Sequence, residues 1–120
     1  MNTENLSNAD YSRLIEVKRE LKKNAGVNGK TAFGWARSVL GQVDAVIGRQ
    51  NRILFLADVF GRVVKSSRDL SDSELFALAM WGRPYKQFHS PVSFDKEFIH
   101  DLTILQITYN DQITLPGMPE

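Results

Sequence analysis

The chain contains no cysteine, which excludes a disulfide scaffold, cysteine-ligated zinc, iron–sulfur clusters and thiol nucleophiles together. Histidine is almost as scarce, with only His89 and His100. His100 beside Asp101 and near Asp95 is the one grouping that resembles an acid/base or metal site, and no spacing fixes its geometry. There is no nucleophile elbow, paired-histidine zinc motif or dinucleotide fingerprint. No apolar run approaches the roughly 20 residues that cross a bilayer, and Met1-Asn2-Thr3-Glu4-Asn5 has neither a basic n-region nor an apolar h-region. The expectation is a cytoplasmic, non-enzymatic protein without cofactor or metal.

What the chain does have is the profile of an ordinary globular domain: 120 residues, 42% hydrophobic and 24% charged. That length buries about two-thirds of its unfolded surface, enough for one core. A single helical domain over residues 1–120 is expected, with residues 1–6 and 113–120 as flexible ends. The formal net charge of +1 hides an uneven distribution. Residues 1–68 carry 12 Lys and Arg against 6 Asp and Glu, a balance of +6, whereas residues 69–120 carry 3 against 8, or −5. Such a chain presents two charged faces if the halves stay apart, and none if folding interleaves them.

Helical periodicity organises most of the sequence. Ser7 is placed to cap a first helix, with Leu6 and Tyr11 at staple spacing. That helix runs to about Asn24 with Tyr11, Leu14, Ile15 and Leu21 as its apolar positions. A second helix, Thr31 to Ile47, carries a broad stripe including Ala32, Trp35, Ala36, Val39, Leu40, Val43, Val46 and Ile47. Gly34 and Gly41 inside it weaken a helix by up to about 1 kcal/mol each, so close helix contact is expected there. Gly48 breaks the chain. A third helix, Asn51 to Lys65, has so wide an apolar face that it reads as the central, most buried one, or as a surface for self-association. Leu70-Ser71-Asp72-Ser73-Glu74-Leu75 combines a capping box with a staple and starts a fourth helix at Asp72, stopped by Gly82 and Pro84. Residues 83–92 contain two prolines and cannot be regular helix. Residues 94–109 read as a fifth helix with Phe98, Leu102, Leu105 and Tyr109 on one side, although their β-branched residues also permit strand. The fold class is therefore all-α, a compact bundle of four to five helices.

Three short motifs carry little. Gly29-Lys30-Thr31 matches the end of a phosphate-binding loop, but Asn24 stands where the first glycine belongs and a charged helix precedes it. A helix-turn-helix would need the apolar third helix to present polar groups to base edges. Gln112-Ile113-Thr114-Leu115 is similar to the short peptides by which bacterial proteins bind the replication sliding clamp, with Pro116 and Gly117 replacing the aromatic or aliphatic residue that usually follows.

The most distinctive candidate site is Arg83, Tyr85, Lys86, Phe88 and His89, which interleave cations with aromatic anchors. Arg and Tyr are typical of protein-interface hot spots, and the same mixture also suits stacking on exposed bases. The competing reading is that Tyr85 and Phe88 fold back as a lid on the core. These residues point to a small accessory or regulatory protein, an inhibitor for instance, that acts by binding a protein partner. The alternative is nucleic-acid binding through phosphates by Arg13, Lys18, Arg19, Lys22, Lys23, Arg49 and Arg52, against which stands the plainer reading of a solvated helix face.

Overall fold

The computed structural model describes residues 5–86 and 91–113, without the side chains of residues 110–113. It is an all-α bundle of five helices, with a two-stranded hairpin between the last two. The helices are α1 (Asn8–Ala25), α2 (Phe33–Ile47), α3 (Arg49–Phe60), α4 (Asp72–Gly82) and α5 (Lys96–Ile113). A 3₁₀ turn, Ser67–Asp69, precedes α4, and the strands β1 (Tyr85–Lys86) and β2 (Val92–Ser93) precede α5. The stretch from residue 94 onward is thus helical after its first two residues, not strand.

Ser7 caps α1 as expected, its hydroxyl accepting from the Asp10 N–H at 3.1 Å. The buried stripe is Leu14, Val17 and Leu21, whereas Tyr11 and Ile15 are 45% and 40% exposed. This corrects the expected apolar face and its staple: Leu6 packs on the core without Tyr11. The reason is tertiary, because α1 packs chiefly against α4 and turns Leu14, Val17 and Arg13 toward α4 and α5.

Helix α2 is the hub, touching α3, α4 and α5 through Ala36, Val39, Leu40, Val43 and Ile47. It starts at Phe33, two residues later than expected, because Ala32 is extended and offers no side-chain cap. Gly48, at φ +84°, ends α2 and opens α3 in one step, which a side chain would strain. Helix α3 is shorter than the expected Asn51–Lys65. Gly61 adopts the left-handed conformation at φ +74° and closes the helix on the Ala57 carbonyl. Nor is α3 the most buried helix: Leu54 faces out, and Val63, beyond the helix, is 63% exposed while Val64 is buried.

The α4 start forms as its sequence demands. Ser71 Oγ accepts from the Glu74 N–H at 3.2 Å, Glu74 Oε1 accepts from the Ser71 N–H at 2.8 Å, and Leu70 and Leu75 are both buried. Helix α5 buries Phe98, Leu102, Leu105 and Tyr109 together. Phe98 meets the Trp81 indole edge-on at 4.7 Å between ring centroids, and Phe55 approaches both Trp81 and Tyr109. This aromatic cluster ties α3, α4 and α5.

The close contacts made by glycine lie elsewhere than expected. A Cβ on Gly34 or Gly41 would meet nothing within 4 Å. One on Gly82 would lie 2.5 Å from Val39 Cγ2, and one on Gly29 would lie 2.5 Å from the Phe76 ring. Gly82 therefore sets how tightly α4 crosses α2, and Gly29 how tightly the α1–α2 loop covers α4.

Candidate partner-binding surface

The surface begins where α4 stops. Pro84 disfavours right-handed helix at the residue before it, and Arg83 takes φ +45°, ψ 55° while its N–H still reaches the Ala79 carbonyl at 2.8 Å. Arg83 is the one non-glycine residue with positive φ among the described residues. The chain then forms the hairpin, with Tyr85 opposite Ser93 and Lys86 opposite Val92, and returns so that the Asp95 N–H bonds the Gly82 carbonyl at 3.2 Å. Arg83, Tyr85 and Lys86 are all exposed. Phe88 and His89 lie outside the described residues.

Two shallow clefts meet at this corner. One, of about 270 Å³, runs between the start of α2 and the outer face of α4. Trp35, Phe76, Ala79, Met80 and Pro84 form its apolar walls, and Lys30, Thr31 and Arg83 form its rim. The other, of about 230 Å³, lies between α1 and α4 and is more polar, with Glu20, Lys23 and Asn24 above Val17 and Leu21. Met80 and Arg83 border both clefts. The residues that the loop pattern missed are thus Trp35, Phe76, Met80 and Lys30. Of the Gly29-Lys30-Thr31 stretch, Gly29 packs against the Phe76 ring, and Lys30 and Thr31 lie on the rim of the cleft.

The basic residues of the first half do not converge. Arg13 makes a bidentate pair with Asp101 at 2.8 and 2.9 Å and also approaches Glu97 and Glu16. The Asp101 hydrogen bond holds its guanidinium above the ordinary arginine range, against the opposing effect of burial. Lys18 pairs with Asp58 at 2.5 Å. Arg52, nearly buried, pairs with Asp44 at 2.8 Å and donates to the Val64 and Lys65 carbonyls. Arg49 donates to the Lys65 carbonyl. Arg19, Lys22 and Lys23 remain exposed along α1, interleaved with Glu16 and Glu20. Because Arg13 joins Glu97 and Asp101, and Arg62 joins Glu74, folding also interleaves part of the linear charge asymmetry.

The acid/base grouping around His100 is likewise dispersed. His100 is exposed, with Nε2 at 3.3 Å from Asp10 Oδ1, while Asp101 is buried on Arg13 and Trp81. Among the described residues no three His, Cys, Asp or Glu side chains group as metal ligands. Gln112 and Ile113 fall in the last turn of α5, and Thr114 and Leu115 lie outside the described residues. No described helix is long and apolar enough to cross a membrane. No protein-family model, curated protein or solved structure matches the chain.

Proposed function

We propose that this protein is a small, non-enzymatic accessory factor of the cytoplasm that binds another protein and modulates what it does, through the corner formed by Arg83, Pro84, Tyr85 and Lys86 and the cleft beneath it. The observation that carries this reading is Arg83. A left-handed residue at a helix end is ordinarily glycine, and an L side chain there costs on the order of 1 kcal/mol. Here the position holds a long cation, exposed on the border of two clefts. Backbone strain at such a place supports a role for the side chain itself. An exposed Tyr85 two residues on adds a second anchor of the kind that dominates interface energetics.

The test is affinity capture from native lysate by the tagged protein, with and without nuclease, comparing the wild type with Arg83→Glu combined with Tyr85→Ala. A stoichiometric protein that resists nuclease and is lost with the double variant supports the reading. Partners that vanish with nuclease, and that depend on Arg19, Lys22 and Lys23 rather than Arg83, would replace it with nucleic-acid binding, whose affinity must also fall steeply with salt.

A further inference from the structure

We infer that the cleft between α2 and α4 takes a short acidic segment of the partner, with one bulky apolar side chain seated between Trp35 and Met80 and carboxylates beside it meeting Lys30 and Arg83. The inference rests on the proposed function and specifies what that surface would recognise.

Three observations converge on this occupant. The walls are apolar on both sides, from Trp35 on α2 to Phe76, Ala79 and Met80 on α4, so water is poorly held there and an apolar side chain gains by displacing it. The rim carries two cations and no carboxylate, and neither Lys30 nor Arg83 is paired with an acid among the described residues. That asymmetry is local, because the neighbouring cleft between α1 and α4 has Glu20 beside its Lys23 and offers no single sign to a ligand. Finally, at about 270 Å³ the cleft falls below the roughly 300–1,000 Å³ of pockets that enclose drug-sized molecules. A volume of this size suits one large side chain delivered by a chain that continues across the surface.

The α4 wall is also closely packed from behind. Phe76 is fixed by Gly29, which leaves its ring no room to move toward the loop, and Gly82 locks α4 against Val39 next to Arg83. A wall already packed in this way loses less ordering entropy when a side chain enters.

The two tryptophans supply the test. Trp35 lines the cleft, whereas the Trp81 indole N–H is committed to buried Asp101 at 2.9 Å and serves as an internal reference. With the full chain ¹⁵N-labelled, the indole resonances are followed during titration with acetylated, amidated Asp-Glu-Φ-Asp-Glu peptides in which Φ is Leu, Ile, Met or Phe. The expected result is a saturating shift of the Trp35 signal with little change at Trp81. Replacing the peptide acids by lysine or Φ by serine removes it, and Lys30→Glu or Arg83→Glu weakens it about three- to tenfold. A Trp35 signal that ignores every acidic peptide, or responds equally to the lysine version, overturns the inference. So does one that moves with a single-stranded oligonucleotide, or with protein concentration alone alongside a dimer mass in sedimentation, which would make a second copy the occupant. Lysate capture that still depends on Arg83 while the peptides fail would leave the partner-binding reading standing and reject only the acidic occupant.

Discussion

The Trp81 indole N–H donates to Asp101 Oδ2 at 2.9 Å, and the same carboxylate receives the fork of Arg13. One buried acid therefore joins α4, α5 and α1, and it sits against the aromatic cluster rather than at the surface. Removing this acid takes the charge-assisted partner from Arg13, which is part-buried and keeps Glu16 and Glu97, and leaves the Trp81 N–H without its acceptor. Asp101→Ala is expected to lower stability by about 2–3 kcal/mol through these lost hydrogen bonds, a large share of a typical domain's 5–15 kcal/mol. Trp81→Phe, which keeps most of the ring packing and the Arg13 pair, should cost roughly half as much. Denaturant midpoints at constant m-value would measure both, and equal losses would contradict the view that Asp101 is the centre of the cluster.

The glycines divide into two groups with opposite expected signs. Gly41 lies inside α2 with open space where a Cβ would go, so Gly41→Ala should stabilise by about 0.5–1 kcal/mol through helix propensity alone. Gly82→Ala drives a methyl into Val39 and should destabilise by about 1–3 kcal/mol, as overpacking does. Thermal unfolding of the two single variants checks the pair, and a destabilising Gly41→Ala would show that something covers that face in solution.

Those glycines also show how far the sequence could be read. The α4 start was legible because a capping box and staple are local: Ser71, Glu74, Leu70 and Leu75 satisfy one another within six residues. A bundle of four to five helices followed from periodicity, as did the buried face of α5, although its β-branched residues left strand open. The orientation of α1 did not follow, since Tyr11 and Ile15 share one apolar stripe with Leu14, and only contact with α4 and α5 decides which side of it turns inward. The end of α3 was missed because the apolar pattern continues through Val63 and Val64 beyond the turn at Gly61. Of the candidate surface, Arg83, Tyr85 and Lys86 were evident as an unusual loop. Trp35, Phe76 and Met80 were not, because their meeting depends on a helix crossing set by Gly29 and Gly82, whose steric role is invisible until Phe76 and Val39 are placed.

Stability should depend on pH through Glu74. Its carboxylate accepts from Arg62 and from the Ser71 N–H, and the Arg62 hydrogen bond is the main reason its folded pKa lies below the ordinary 4.5, with burial opposing. A depressed acid stabilises the fold fully above its unfolded pKa and loses that contribution as pH falls through the folded value. Chemical denaturation in a series from pH 7 to pH 3 should therefore show stability declining from about pH 5 downward. Glu74→Gln should be less stable at pH 7 and should decline less steeply, so that the two curves converge in acid. Parallel curves would mean that Glu74 has no part in the acid sensitivity.

Arg83 offers a way to separate folding from binding, because its backbone and its side chain make opposite demands. At φ +45° the backbone favours glycine, and Arg83→Gly relieves the strain of an L residue in that region while adding some freedom to the unfolded chain. The net change in stability is expected to be small, between no effect and a gain of about 1 kcal/mol. The guanidinium at the border of the two clefts is lost at the same time, so partner capture should fall severalfold in a variant that is folded as well as the wild type. Arg83→Lys keeps the charge without the planar fork and should retain part of the binding at the wild-type stability. Circular dichroism melts run beside quantitative capture would distinguish the cases. If Arg83→Gly binds as well as the wild type, the left-handed arginine is only a tolerated helix terminus, and the surface proposed for the partner must lie elsewhere.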